Sequence, residues 1–120
     1  MKWKFSQDTD GDRFFVNILH VEAMTHRGRL VIHKERSEVA PDWCHSYILL
    51  DDRLFHEGYE CPPEPPEFRL PKTNKPKDID QFKIAMECHG ESVFRKWAKQ
   101  WKLSLIEMPK KFTPSHLGLY

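Results

Sequence analysis

Runs of apolar residues in the first half of the chain predict β-strands. Residues 13–24 are dense in Phe, Val, Ile and Leu, with Asp-Gly-Asp before them and Thr-His-Arg-Gly after them. Residues 29–35 form a second such run, so the two segments predict a hairpin. Because apolar side chains alternate onto both faces of the first segment, we expect a central strand that is covered on two sides.

The turn between these strands decides whether two histidines face each other. A two-residue loop, His26 and Arg27, would place His20 directly opposite His33, but the segment lacks the Asn-Gly that such loops prefer. We therefore predict a type I turn with Gly28 in a left-handed bulge position, which shifts the histidines out of register. A facing pair could serve a metal or acid–base chemistry, whereas two half-exposed strand histidines are the simpler interpretation.

Shorter segments extend this sheet. Residues 2–6 predict an opening strand that pairs with 13–24, and residues 47–50 predict a fourth strand. Residues 103–108 alternate between apolar and polar positions and predict a final strand, which Pro109 ends. We expect this final strand to rejoin the sheet and to bring both halves of the chain into one core.

Helical spacing is confined to the second half. Asp78 suits the N-cap of a first helix, whose apolar positions recur every three or four residues up to Gly90, a typical C-terminal stop. Ser92 suits the N-cap of a second helix. The apolar stripe of that second helix consists of Val93, Phe94, Trp97, Ala98 and Trp101.

Prolines separate the two halves. Six prolines between positions 62 and 76 fix φ and remove backbone donors, so residues 62–77 predict a polyproline-like surface connector that is neither helix nor central strand. The patterns together predict an α+β fold: an antiparallel sheet of three to five strands with two helices packed on one face, in the order β-β-β-(β)-α-α-β. At 120 residues we expect a single domain, 1–120.

Charge is distributed unevenly along the chain. Residues 1–68 contain 8 Lys and Arg against 13 Asp and Glu, a net charge of −5, whereas residues 69–120 contain 11 against 5, a net charge of +6. The formal total of +1 therefore conceals an acidic, β-rich half and a basic half. This asymmetry indicates a polyanion or an acidic protein surface as the partner.

The basic half predicts contact with the phosphates of nucleic acid. Its candidate binding residues are Arg69, Lys72, Lys75, Lys77, Arg95, Lys96, Lys99 and Lys102. Lys110 and Lys111 follow the last strand and would add to a surface on which all three segments converge. Trp97 and Trp101 would stack bases if they were exposed, although their helical spacing among apolar residues is more typical of a core.

These features predict a small non-enzymatic binding protein that contacts nucleic acid or a nucleoprotein. The alternative is a regulator or inhibitor that binds another protein, with the acidic half or the interrupted proline run at 62–66 as its epitope. The size and the lack of catalytic motifs are typical of an accessory protein of a phage or mobile element. An enzyme that uses histidines and carboxylates ranks below both alternatives.

No cofactor or catalytic motif is complete. Residues 8–12 have the carboxylate spacing of an EF-hand loop, but Arg13 stands where the sharp turn needs Gly, and Leu19 where calcium needs a bidentate Glu. The Cys-His dipeptides at 44–45 and 88–89 lack the short paired spacing of zinc modules. We therefore predict no catalytic residue, no metal and no cofactor.

Cysteine content and hydropathy indicate a cytoplasmic protein. The three cysteines, Cys44, Cys61 and Cys88, are too few for a disulfide scaffold. No apolar run approaches the roughly 20 residues that a membrane span needs, and the first residues lack the apolar core of a secretory signal. We expect reduced thiols and no membrane partner.

Overall fold

One antiparallel sheet and one long helix make up the fold. The computed structural model of the chain describes residues 2–9, 15–37, 44–73 and 75–106. The sheet has five strands in the order β1-β2-β3-β4-β5. They are β1 Lys2–Thr9, β2 Phe15–Thr25, β3 Gly28–Ser37, β4 Cys44–Leu50 and β5 Arg53–Phe55. A short 3₁₀ helix, Pro66–Phe68, precedes the α-helix α1, Pro76–Gln100.

The α+β class and the antiparallel sheet are confirmed, and each of the first four strands lies where its apolar run predicted it. β5 is an addition that the sequence analysis missed. It follows a two-residue turn in which Asp51 and Asp52 both have positive φ, 53° and 63°. This is the backbone of a type I′ hairpin turn, and Asp tolerates it without the usual Asn-Gly pair.

The prediction of two helices is wrong, because α1 runs without interruption through Gly90. The apolar positions before and after this glycine, such as Met86 and Phe94, fall on the same helical stripe and are buried together. Burial of one continuous stripe offsets the roughly 1 kcal/mol that a glycine costs inside a helix. No helix of the described residues is long and apolar enough to cross a membrane.

Replacing Gly90 with alanine should raise the free energy of unfolding by about 0.5–1 kcal/mol. A Cβ at this position would lie 3.7 Å from the Sδ of Met86 and 3.8 Å from its Cβ, which is ordinary van der Waals contact. Urea unfolding followed by circular dichroism measures the change. A loss of stability would contradict an uninterrupted helix at this point.

The connector at 62–77 is less exposed than expected. Phe68 and Leu70 are each only 1% exposed, so they anchor the segment in the core. The prediction that residues 62–77 contain no helix is also wrong at two places, because Pro66–Phe68 forms a 3₁₀ turn and Pro76 begins α1. Proline suits the first helical position, where its missing N–H would have had no partner.

The core lies between α1 and the inner face of the sheet. Phe5 of β1 contacts Phe82 of α1, with ring centroids 5.1 Å apart. Buried residues of β2, β3, β4, the connector and α1 form one cluster, which includes Leu19, Val21, Leu30, Ile32, Ile48, Leu70, Met86 and Phe94. The opposite face of the sheet, called the outer face below, carries Lys4, His20, His33 and Tyr47 in one cross-strand row.

The predicted final strand at 103–108 is reduced to a single bridge. Leu105 pairs with Thr25 at the end of β2, and the Ile106 N–H donates to the Met24 carbonyl at 2.9 Å. The segment therefore returns to the sheet as expected, although its last two residues lie outside the described part of the chain.

The predicted register shift between β2 and β3 is wrong. Thr25 pairs directly with Gly28, so the loop has two residues and His20 lies opposite His33. Gly28 has a positive φ of 119°, but it pairs directly with Thr25 and does not form the predicted bulge. The Thr25 hydroxyl donates to the Gly28 carbonyl at 2.7 Å and accepts the Arg27 N–H at 3.1 Å. These bonds close the tight loop in place of the missing Asn-Gly.

Candidate functional site

The eight predicted phosphate-binding cations fall into two groups. The connector group consists of Arg69, Lys72, Lys75 and Lys77, and the C-terminal group consists of Arg95, Lys96, Lys99 and Lys102. All of them are exposed except the half-buried Arg95, whose Nη2 lies 2.9 Å from the Glu91 Oε1 atom. Lys110 and Lys111 lie outside the described residues.

The helix separates much of the connector group from the C-terminal group. Lys77 and Arg95 are 18 positions apart on α1, which corresponds to about 27 Å along the helix axis. The exposed carboxylates of Asp80, Glu87 and Glu91 lie at positions between them. The expected single surface is therefore interrupted along α1.

The C-terminal group is a concentration of positive charge. Residues 92–106 contain four cations and no carboxylate. Lys99 follows Arg95 by four positions and Lys96 by three, so these side chains are neighbours on the helix surface. Within the described residues, Lys96, Lys99 and Lys102 make no ion pair and no side-chain hydrogen bond. The end of α1 thus offers several cations without internal neutralisation.

Lys102 occupies a position that usually belongs to glycine. Its φ is 58°, its N–H donates to the Lys99 carbonyl at 2.9 Å, and the next N–H, from Leu103, donates to the Ala98 carbonyl at 2.9 Å. These two bonds form the Schellman motif that ends many helices, in which glycine avoids the strain of a left-handed residue. A lysine is retained here despite a local energetic cost of about 1 kcal/mol.

Two clefts flank residues 63–67, called the proline ridge. A cleft of about 410 Å³ on one side of the ridge is lined by Lys96, Val93 and Gln100. A cleft of about 240 Å³ on the other side is lined by the cations Lys34, Arg36 and Arg69. Both clefts share the ridge residues Glu64, Pro65 and Pro66. The carboxylates of Glu57, Glu64 and Glu67 line the same clefts, so negative charge offsets much of the positive charge beside the ridge.

The sequence analysis missed Lys34 and Arg36. They continue the inner-face alternation of β3 after Leu30 and Ile32, and they are only 9% and 7% exposed. Alternation alone would have placed them on the buried face, but buried cations need partners that only the folded chain supplies.

The partner of Lys34 is Glu64 on the proline ridge. The Lys34 Nζ lies 2.9 Å from the Glu64 Oε2, and the two side chains are 11% and 5% exposed. Burial raises the pKa of Glu64, although the nearby charge of Lys34 acts to lower it. The other carboxylate oxygen of Glu64 is buried without a hydrogen-bond partner among the described residues. This ion pair fixes the ridge to the sheet.

Four titratable side chains form a continuous chain on the outer face. The Nδ1 atoms of His20 and His33 are 2.9 Å apart. The Nε2 of His20 lies 2.7 Å from the Glu22 Oε1, and the Nε2 of His33 lies 3.0 Å from the Glu35 Oε1. These three contacts link side chains of β2 and β3 into one row across the outer face.

The two tryptophans considered for base stacking, Trp97 and Trp101, both pack against the protein. Trp97 is 2% exposed, and its indole N–H donates to the Pro62 carbonyl at 3.0 Å. Trp101 is half-buried and contacts the rings of Phe55 and Trp97, with centroids 5.0 and 5.7 Å away. The core interpretation of the Trp97 position is confirmed, and base stacking on that ring is excluded.

The cysteines show no sign of an activated nucleophile. Burial, followed by the negative charges of Glu57, Glu64 and Glu60, raises the pKa of Cys61 to about 11, so this thiol stays protonated at neutral pH. Cys88 is exposed on α1, and Cys44 is half-buried on β4. The three side chains form no disulfide.

In the described part of the chain, no group of three or more His, Cys, Asp or Glu side chains is arranged to hold a metal ion. The acidic side chain of Glu60 accepts a hydrogen bond from the His56 ring at 2.7 Å, and this bond lowers the pKa of Glu60. Residues 10–13 of the rejected calcium loop lie outside the described residues.

Comparisons of the chain with models of protein families, with curated proteins and with solved structures gave no match.

Proposed function

We propose that the protein binds nucleic acid, or a nucleoprotein, through phosphate contacts from the C-terminal group and from the exposed Arg69 beside the proline ridge, and that it catalyses no reaction. The observation that carries the proposal is a set of three exposed lysines at the end of α1, Lys96, Lys99 and Lys102, which make no ion pair within the described residues. Cations at neighbouring helix positions repel one another, and a bound phosphate relieves this repulsion. The free thiols suit a cytoplasmic location, which is part of the proposal.

Contacts of this kind recognise the backbone and not the bases. Because Trp97 is buried, the described end of α1 presents lysines in place of a stacking platform. We therefore expect largely sequence-independent binding, with dissociation constants on the order of 10⁻⁶–10⁻⁴ M at physiological salt. The affinity should fall steeply as salt is added, because each phosphate contact releases bound counterions.

Fluorescence anisotropy of a labelled 20-bp duplex, measured across a series of KCl concentrations, tests the proposal. The triple variant Lys96→Ala, Lys99→Ala, Lys102→Ala should make the slope of log K against log salt shallower by about 3. The matched control Lys75→Ala, Lys77→Ala, Lys83→Ala removes the same charge near the other end of α1 and should change the slope much less. Equal losses in both variants, or no binding by the parent protein at low salt, would contradict the proposal.

The Lys102→Gly variant separates binding from stability. Glycine relieves the positive φ of 58° at this position, so the free energy of unfolding should rise by about 1 kcal/mol. The same change removes one cation, so the salt slope should fall by about 1. A variant that is more stable and binds nucleic acid less well cannot owe its weaker binding to unfolding.

A second candidate function is that of a regulator that binds a basic protein surface through the acidic half. Tyr59 is 90% exposed and Leu54 is 54% exposed, and they lie among the carboxylates of the segment 51–60. An exposed aromatic residue among charges is typical of an interface hot spot. A stoichiometric partner that co-purifies with the parent protein, but is lost with Tyr59→Ala, would favour this function.

A further inference from the structure

We propose that His20 and His33 bind one divalent transition-metal ion, of the class that includes Zn²⁺, Ni²⁺ and Cu²⁺, on the outer face of the sheet. Their Nδ1 atoms face each other at 2.9 Å. Two imidazole nitrogens at this distance are joined either by a hydrogen bond, with a proton on one of them, or by a metal ion that both bind. Imidazole suits the metals of this class.

The second nitrogen of each ring has the partner that metal-binding histidines usually have. Glu22 accepts from the Nε2 of His20 at 2.7 Å, and Glu35 accepts from the Nε2 of His33 at 3.0 Å. A carboxylate in this position holds the proton on Nε2, orients the ring and leaves Nδ1 as the nitrogen that can bind a metal. The same arrangement occurs on both strands, so both rings are prepared in the same way.

The ring positions need only a small adjustment. Two zinc–nitrogen bonds of 2.0–2.1 Å at a tetrahedral angle separate the nitrogens by about 3.3 Å, roughly 0.4 Å more than the observed distance. The side chains of His20 and His33 are 33% and 17% exposed, so an ion and its water ligands can approach from solvent. Tyr47 stacks on His33 at a centroid distance of 4.9 Å and limits the motion of that ring. Water molecules complete the coordination.

The surrounding charges accommodate a divalent ion. The carboxylates of Glu22 and Glu35 supply two negative charges next to the ligands. Arg29 lies 3.6 Å from the Glu22 carboxylate, and Lys4 is paired with His20 across the strands, so neighbouring cations offset part of this charge. The two carboxylates balance the charge of a divalent ion, and the two neighbouring cations leave a modest positive excess around the occupied site.

Isothermal titration of the full chain with NiCl₂, ZnCl₂ or CuCl₂ tests the site. We expect one ion per chain, and at least tenfold weaker binding in each of the variants His20→Ala and His33→Ala. The matched control is His56→Ala, because His56 also contacts a carboxylate, Glu60 at 2.7 Å, but has no second imidazole beside it. This variant should bind the metal like the parent protein.

A variant at one of the two carboxylates provides a second readout. The variant Glu35→Gln keeps an acceptor for the Nε2 of His33 but removes its charge, and it should weaken binding by roughly tenfold.

Several outcomes would overturn the site. These are the absence of binding with a dissociation constant below about 1 mM, unchanged binding in His20→Ala, and equal losses in His56→Ala. Circular dichroism of each variant checks that it is folded, which we expect because these histidines lie outside the core cluster. Affinity for the nucleic acid duplex should be the same in all of these variants, so the experiments test the metal site and the proposed function independently.

Discussion

Replacing Trp97 with alanine should lower the free energy of unfolding by about 3–5 kcal/mol. The side chain is 2% exposed and packs against Phe94 and Trp101, with ring centroids 6.0 and 5.7 Å away. Its truncation opens a large cavity and leaves the Pro62 carbonyl without its 3.0 Å hydrogen bond. A domain of this size has a total stability of about 6–18 kcal/mol, so the loss is a large part of the whole.

Two further variants show how much of this loss of stability comes from the cavity and how much from the lost hydrogen bond. Trp97→Phe keeps an aromatic ring but removes the indole N–H, and we expect a smaller loss of about 1–2 kcal/mol. Trp101→Ala should also cost less than Trp97→Ala, because Trp101 is only half-buried. Urea unfolding of the three proteins gives the comparison. A Trp97→Ala protein of unchanged stability that had lost its affinity for nucleic acid would show instead that the ring serves base stacking.

The strands could be predicted from the sequence because their signal is local. In β2, Leu19, Val21 and Ala23 alternate with half-buried or exposed residues, and the structure buries these three on the inner face. Successive side chains in a strand point to opposite faces of the sheet, so the alternation of apolar and polar residues over a short run is enough to identify the strand. The same reasoning fails for β5, which has only three residues and no alternation to detect.

Features that depend on distant parts of the chain were predicted wrongly or missed. Gly90 is a typical helix stop, yet the apolar stripe on either side of it is buried against a sheet that the local sequence does not reveal. The register of His20 and His33 depends on one loop residue, and the hydroxyl of Thr25 determines that loop. In both cases a preference of about 1 kcal/mol was overridden by specific contacts.

For the same reason, only part of the candidate site could be predicted from the sequence. The three lysines of the C-terminal group are exposed, so their count in the sequence carries over directly to the surface. Lys34 and Arg36 stand in the half that the charge count marks as acidic, and their place beside the proline ridge follows from how that ridge packs on the sheet. Sequence position gives the sign of a charge, whereas its neighbours are set by the fold.

Replacing Lys34 with methionine should lower the free energy of unfolding by about 3 kcal/mol at neutral pH, because it leaves the carboxylate of Glu64 buried without its cation. The two side chains are 11% and 5% exposed, so water screens their interaction little. Double replacement, Lys34→Met with Glu64→Met, removes both charges and keeps similar volume. We expect it to recover the stability of the parent protein to within about 1 kcal/mol.

The dependence of the loss on pH identifies its electrostatic origin. Burial raises the pKa of Glu64, and without Lys34 nothing at that position opposes the increase. The folded Lys34→Met protein then takes up a proton at a higher pH than the unfolded chain does, so its stability relative to the parent protein improves as the pH falls. Unfolding measured at pH 5 and at pH 7.5 should show the smaller deficit at pH 5. An equal deficit at both values, persisting in the double variant, would mean that Lys34 acts through the packing of its aliphatic chain and not through its charge.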